Sequence, residues 1–269
     1  MLVETRLGRV FVDVRGEGVP VVLWPSLLTD GGMWRFVVPS LADRYRVITI
    51  DPPGHGRSAP VRRAFDLDDC AEVLREVLDG TGCDRVHYAG LSWGGMTGMR
   101  FAVRHPERLR SLALVDTNAD RETRRKIPAY RAMQLVARAL GTGVPFVLDR
   151  LEAIYFAERT RRERRDVVED FRRHIASMDP ESVYHCTEAV IFRRADFRDR
   201  LGAIRTPALV LVGGEDGATP LARARDIAER IPGAALVTIP GAGHLSALDR
   251  PERVAEELLR FFERVDAAA

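Results

Sequence analysis

The run Ala89-Gly90-Leu91-Ser92-Trp93-Gly94-Gly95 constrains this chain more than any other stretch. Arg85–Ala89 before it is a short apolar run of strand type, and Met96–Val103 after it reads as a helix. Gly90-Leu91-Ser92-Trp93-Gly94 therefore fits the Gly-x-Ser-x-Gly nucleophile elbow, in the strand-turn-helix setting that such a turn needs. A serine on a sharp, strained turn requires neighbours without side chains, so that strand and helix can approach closely. Ser92 would then stand at a helix start, where free backbone N–H groups favour developing negative charge.

Strand and helix alternate on both sides of this run. Leu2–Thr5 and Arg9–Val14 flank Gly8 as a hairpin, and Pro20–Trp24 is a continuous apolar run of the kind buried on both faces of a largely parallel sheet. A helix is predicted from near Met33 to near Asp43, a strand over Val47–Ile50, and an amphipathic helix over Asp66–Asp79 with Leu67, Cys70, Ala71, Leu74, Val77 and Leu78 at helical spacing. Ser111–Val115 is another strand, after which the alternation stops. Asp120–Asp199 is helix-compatible and crowded with charge, and breaks at Pro128, Gly141–Pro145 and Asp179–Pro180 divide it into about four helices. Its arginines read as a solvated helical face with i,i+4 pairing. The sheet pattern resumes at Pro207–Val212 and Ala235–Ile239, and the last helix carries Val254, Leu258, Phe261 and Phe262 on one face.

These elements predict an α/β fold with a mostly parallel, eight-stranded sheet covered by helices on both faces. Residues 1–118 and 200–269 would form the core domain and 119–199 a helical lid past the sheet's carboxyl edge, where substrate would be selected. At 269 residues and 46% hydrophobic, the chain is long enough for one large core. The balance of 41 basic against 39 acidic residues gives no argument for nucleic acid or an anionic membrane as partner. No run approaches the ~18 apolar residues of a membrane span, and the N-terminus has no basic region followed by an apolar one. Cys70, Cys83 and Cys186 are scattered, which suits a reducing cytoplasm. His185 and Cys186 are too few for a metal site, and no cofactor is expected. No exposed hydrophobic stripe stands out to set an oligomeric state.

Three loops at strand ends offer a Ser, an Asp and a His in that order: Ser92, Asp216 in Asp-Gly-Ala-Thr-Pro, and His244 in Gly-Ala-Gly-His-Leu. The carboxyl ends of the strands lie along one edge of an open sheet, so these residues can meet there. A free hydroxyl is a poor nucleophile at neutral pH; His244 would take the Ser92 proton, and Asp216 would fix the imidazole tautomer and stabilise the imidazolium. Asp116, at the end of an earlier strand, is the other place for the acid. His55 is expected to hold the loop after its strand by hydrogen bonds.

With Asp51-Pro52-Pro53-Gly54-His55-Gly56-Arg57-Ser58, His105-Pro106-Glu107-Arg108-Leu109 and Gly243-His244-Leu245 added to the serine motif, the chain resembles the α/β-hydrolases from Gly8 to Phe262. Within them it is most similar to the 3-oxoadipate enol-lactonase and carboxylesterase branch, through Pro25-Ser26-Leu27-Leu28-Thr29-Asp30 and Tyr184-His185-Cys186-Thr187-Glu188-Ala189-Val190. The resemblance implies a cofactor-free serine hydrolase of a small-molecule ester or lactone, with the Leu27 and Trp93 amides as oxyanion donors. Trp24, Ser26, Tyr130, Met133 and His185 are candidates for the substrate pocket, with His174 in the lid another; Trp24, like Trp34, is expected first to serve packing, close to the oxyanion loop. The lactonases' Trp-x-x-Arg falls on Tyr130-Arg131-Ala132-Met133, so their arginine is missing from its place, and Trp93 is bulkier than the usual methionine. The same fold also hosts carbon–carbon bond hydrolases, ligand receptors that bind without turnover, and cofactor-free oxygenases or perhydrolases.

Overall fold

The computed structural model describes residues 1–268. In chain order its elements are β1 (Leu2–Val3), β2 (Val10–Arg15), β3 (Pro20–Trp24), α1 (Val38–Ala42), β4 (Arg46–Asp51), α2 (Leu67–Gly80), β5 (Val86–Leu91), α3 (Trp93–Arg104) and β6 (Leu109–Val115). Five helices follow: α4 (Ile127–Leu140), α5 (Pro145–Tyr155), α6 (Glu158–Glu163), α7 (Arg165–Ala176) and α8 (Pro180–Thr187). The chain closes with β7 (Ala208–Gly213), α9 (Leu221–Arg230), β8 (Ala235–Ile239), α10 (Ser246–Asp249) and α11 (Pro251–Asp266).

The strands form one eight-stranded sheet in the order β1-β2-β4-β3-β5-β6-β7-β8, antiparallel at β1/β2 and β2/β4 and parallel elsewhere. Burial follows position. The β5 and β7 strands are buried at every residue because helices cover both faces, whereas β2 begins with buried and half-buried residues in alternation. Helices α1 and α11 pack together over one face, and α2 packs on α3 over the other. The α2 start is well defined: Asp66 accepts from the Asp68 and Asp69 amides while the Asp69 carboxylate returns to the Asp66 amide, a reciprocal capping box. Its inward stripe contains all six residues expected from the spacing, joined by Val73.

Two local expectations are corrected. The helix predicted from Met33 to Asp43 is instead a 3-10 turn over Gly31–Trp34, capped by Asp30, followed by the short α1. Pro39 fits only in a first helical turn, so the α-helix starts at Val38 rather than near Met33. The charged segment after β6 contains five α-helices rather than about four, because Arg164 adopts φ −123° and ψ 59° and splits the arginine-rich run into α6 and α7. A π-helical turn, Glu188–Phe192, prolongs α8. No helix among the described residues is long and apolar enough to cross a membrane.

Candidate active site

Ser92 stands between β5 and α3 with φ 54° and ψ −104°, a backbone conformation that side-chain-bearing residues rarely adopt. The surroundings hold it there. Its amide donates to the Val115 carbonyl at 2.8 Å, and its carbonyl accepts from the Met96 amide at 2.9 Å and the Thr117 hydroxyl at 2.7 Å. The flanking glycines are required sterically: a Cβ on Gly90 would lie 2.2 Å from the Gly94 carbonyl carbon, and one on Gly94 would lie 2.4 Å from the Trp24 carbonyl oxygen. The Tyr88 hydroxyl donates to the Gly94 carbonyl at 2.7 Å and ties the turn to its strand.

His244 and Asp216 come to this serine from loops after β8 and β7. His244 Nε2 lies 2.9 Å from Ser92 Oγ, and His244 Nδ1 lies 2.9 Å from Asp216 Oδ2. With the ring proton on Nδ1 donated to Asp216, Nε2 is left to accept from the serine hydroxyl. Asp216 is itself held: the Ala218 and Thr219 amides donate to Oδ1 at 2.8 Å each, and the Thr219 hydroxyl donates to Oδ2 at 2.6 Å. Burial works against both charges, but the His244 charge and the hydrogen bonds from His244 and Thr219 prevail and hold the Asp216 carboxyl below its ordinary range. By the same pairing, burial is outweighed at His244, whose pKa is raised above 6.5.

Asp116 occupies a different position. It is fully buried with φ 44°, its Oδ1 accepts from the Gly213 amide at 2.7 Å and its Oδ2 from the Ser246 amide at 3.1 Å, and it bonds to neither ring nitrogen of His244. Burial, followed by the nearby Asp216 charge, pushes its carboxyl up to about 8.

The Leu27 amide donates to no protein acceptor among the described residues, and Trp93 is the first residue of α3, where N–H groups lack intrahelical acceptors. Leu27, Leu28, Ser92 and His244 share the wall of one cavity of about 110 Å³. Helices α4, α5, α7 and α8 roof it, contributing among others Tyr130, Met133, Leu151, Ile175 and Val183.

Tyr130 and Met133 thus line the cavity, while Trp24, Ser26 and His185 do not. Trp24 is in the core, edge-on to Trp93 with ring centroids 5.8 Å apart, and Ser26 is wholly buried behind the Leu27 turn. On α8 the inward face is Val183 and Thr187, so His185 is turned away, 3.4 Å from Glu181. His174 likewise pairs with Asp30 at 3.4 Å outside the cavity. His55 is buried and neutral, its burial lowering the pKa to about 4; its Nδ1–H donates to the Pro53 carbonyl at 3.0 Å and its Nε2 accepts the Leu28 amide at 3.1 Å.

Arg131 points away from the cavity, paired with Glu188 and stacked over Phe192 at 3.7 Å. The cationic side chain in the wall is Arg194, which sequence reasoning missed. It is almost wholly buried, donates to the Asp120 and Val190 carbonyls at 2.8 Å each, and lies 3.4 Å from Glu122, another wall residue. Tyr155, at the end of α5, is also in the wall, and its ring stands edge-on to His244 at 5.4 Å. Its only sequence signal was a place on the inward stripe with Leu148 and Leu151.

Residues 19–251 match the family model described as alpha/beta hydrolase fold. A pimeloyl-[acyl-carrier protein] methyl ester esterase of Chromobacterium violaceum is 30% identical over 258 residues, covering 94% of this chain and 98% of the relative. Among solved structures, the enol-lactonase of Burkholderia xenovorans LB400 superposes with a TM-score of 0.91 at 26% identity, covering 98% of this chain and 100% of that one. A thermophilic esterase of Thermogutta terrifontis gives a TM-score of 0.90 at 29% identity, with 98% of both chains covered.

Proposed function

This chain belongs to the alpha/beta hydrolase family, and on that premise we propose that it is a serine hydrolase cleaving a compact ester or lactone through an acyl-enzyme. The observation that carries the reading is the unbroken hydrogen-bonded chain from Ser92 Oγ through His244 to Asp216, opening on an apolar cavity. Ser92 Oγ attacks the carbonyl carbon while its proton passes to His244 Nε2, and the carbonyl π electrons move onto the oxygen. The Leu27 and Trp93 amides receive that oxyanion. Collapse expels the alcohol, which takes the proton from His244; water then repeats the sequence to release the acid. From a lactone the alcohol stays tethered and a single product leaves. Asp216 is the acid of this reading and Asp116 a structural carboxyl, because Asp216 alone of the two meets the imidazole.

The cavity, about 110 Å³ and lined mainly by apolar side chains, supports a small substrate. The helical segment 119–199 serves as the lid that selects it. Arg194 is paired with Glu122, so the wall offers no unopposed positive charge, and a neutral ester or lactone suits it better than one carrying a second carboxylate.

The test is release of 4-nitrophenol from short-chain 4-nitrophenyl esters by the parent and Ser92→Ala at neutral pH, followed by a neutral lactone panel. Turnover that falls by at least ~10²-fold in the variant supports the reading; equal turnover by the two proteins refutes it.

A further inference from the structure

The Leu27 amide belongs to a tight turn that is strained and externally braced. The Thr29 amide and hydroxyl both donate to the Ser26 carbonyl, at 3.3 and 2.8 Å, closing the turn around Leu27 and Leu28. Leu28, the third residue of this turn, has φ 63°, a position at which glycine is usual. Reorienting the 27–28 peptide plane is the change that would relieve Leu28, since turns of opposite central-peptide orientation differ in that φ. Both polar ends of the plane are held by side chains from elsewhere in the chain. The Tyr155 hydroxyl donates to the Leu27 carbonyl at 3.0 Å, and His55 Nε2 accepts the Leu28 amide at 3.1 Å.

Resting on the hydrolase reading above, we propose that Tyr155 is a positioning residue which, with His55, clamps the 27–28 peptide plane and so keeps the neighbouring Leu27 N–H free to receive the oxyanion. Tyr155 ends α5, a roof helix, and its carbonyl accepts the Leu245 amide at 2.9 Å beside His244. One roof residue therefore bonds the oxyanion turn through its hydroxyl and the histidine loop through its backbone. The oxyanion donor is complete only while α5 is docked, which ties covering of the substrate to competence for attack.

The experiment uses Tyr155→Phe, which deletes the hydroxyl and keeps the ring, with a short-chain 4-nitrophenyl ester as substrate and phenylboronic acid as a tetrahedral mimic. On the scale of one net hydrogen bond, kcat falls about fivefold to tenfold with KM within twofold, and phenylboronic acid affinity falls by the same factor. The pH profile of kcat/KM keeps its midpoint, because the deleted hydroxyl does not bond His244. His55→Asn, whose side-chain NH₂ can keep the bond to the Pro53 carbonyl but which has no acceptor at the Nε2 position, is the independent variant, and its effect combines with that of Tyr155→Phe less than multiplicatively because both act on one peptide plane. Tyr155→Phe with kcat and boronate affinity within twofold of the parent overturns the proposal, as does a loss confined to KM. Ser92→Ala run beside them separates the two ideas: if it keeps the parent's turnover, the hydrolase reading fails; if it is inactive while Tyr155→Phe is unaltered, the clamp alone fails.

Discussion

Replacing Asp216 and Asp116 in turn by Asn separates the roles of two buried carboxyl groups near one histidine. In Asp216→Asn the side-chain oxygen can still accept from the Ala218 and Thr219 amides, so the loop keeps its shape. The new NH₂ then faces His244 Nδ1 and the Thr219 hydroxyl in place of Oδ2. The imidazole turns to the tautomer with Nδ1 as acceptor, its proton moves to Nε2, and Nε2 no longer accepts from Ser92. A wrong tautomer in an otherwise intact triad costs about 10⁴ in kcat, or about 5 kcal/mol of barrier. Asp116→Asn leaves Nδ1 its partner but sets an NH₂ against the Gly213 or the Ser246 amide. Measured above pH 8, where Asp116 is ionised, that variant loses about 1–3 kcal/mol of stability, the cost of one buried unmatched donor, and it keeps kcat within about tenfold. Turnover of a 4-nitrophenyl ester and urea unfolding followed by circular dichroism read the two quantities. A loss of activity in Asp116→Asn equal to or larger than that in Asp216→Asn would refute the assignment.

The remaining expectations are briefer. His244 acts as a base only when neutral and its pKa is raised above 6.5, so kcat/KM falls as pH is lowered through a midpoint above 6.5; a flat profile down to pH 6 contradicts the paired imidazole. Gly94→Ala places a Cβ 2.4 Å from the Trp24 carbonyl oxygen, and a shift of the elbow large enough to avoid it costs about 1–3 kcal/mol, read as a lowered unfolding midpoint together with lost turnover. A variant as stable and active as the parent would show that the elbow has room that the structure denies it.

How much of this was legible in the sequence depended on whether the signal was local. The parallel strands were readable because both faces are covered, so Pro20–Trp24 and Ala208–Gly213 stand out as continuous apolar runs. Ser92, Asp216 and His244 sit in glycine-bearing loops at strand ends, where backbone geometry leaves its mark on residue choice, and the fold brings them within hydrogen-bonding distance. The roof was harder. Periodicity marks the buried face of α8, yet it cannot place His185 outside without the register that puts Val183 and Thr187 inside. Tyr130-Arg131-Ala132-Met133 leaves the lactonases' arginine position empty, and the cavity's cation comes instead from Arg194, beyond the π-helical turn, which no pattern announces. The Tyr155 hydroxyl finds the Leu27 carbonyl 128 residues away, a relation that only the tertiary structure contains.

The central claim, that Ser92 is the nucleophile, is tested most directly by covalent labelling with a 4-nitrophenyl alkylphosphonate, followed by peptide mass spectrometry of the parent and of His244→Ala. The account predicts one stoichiometric phosphonyl adduct on Ser92, with release of one equivalent of 4-nitrophenol, and labelling of His244→Ala slowed by at least ~10²-fold. An adduct on any other residue, or labelling of Ser92 at the same rate without His244, would contradict it.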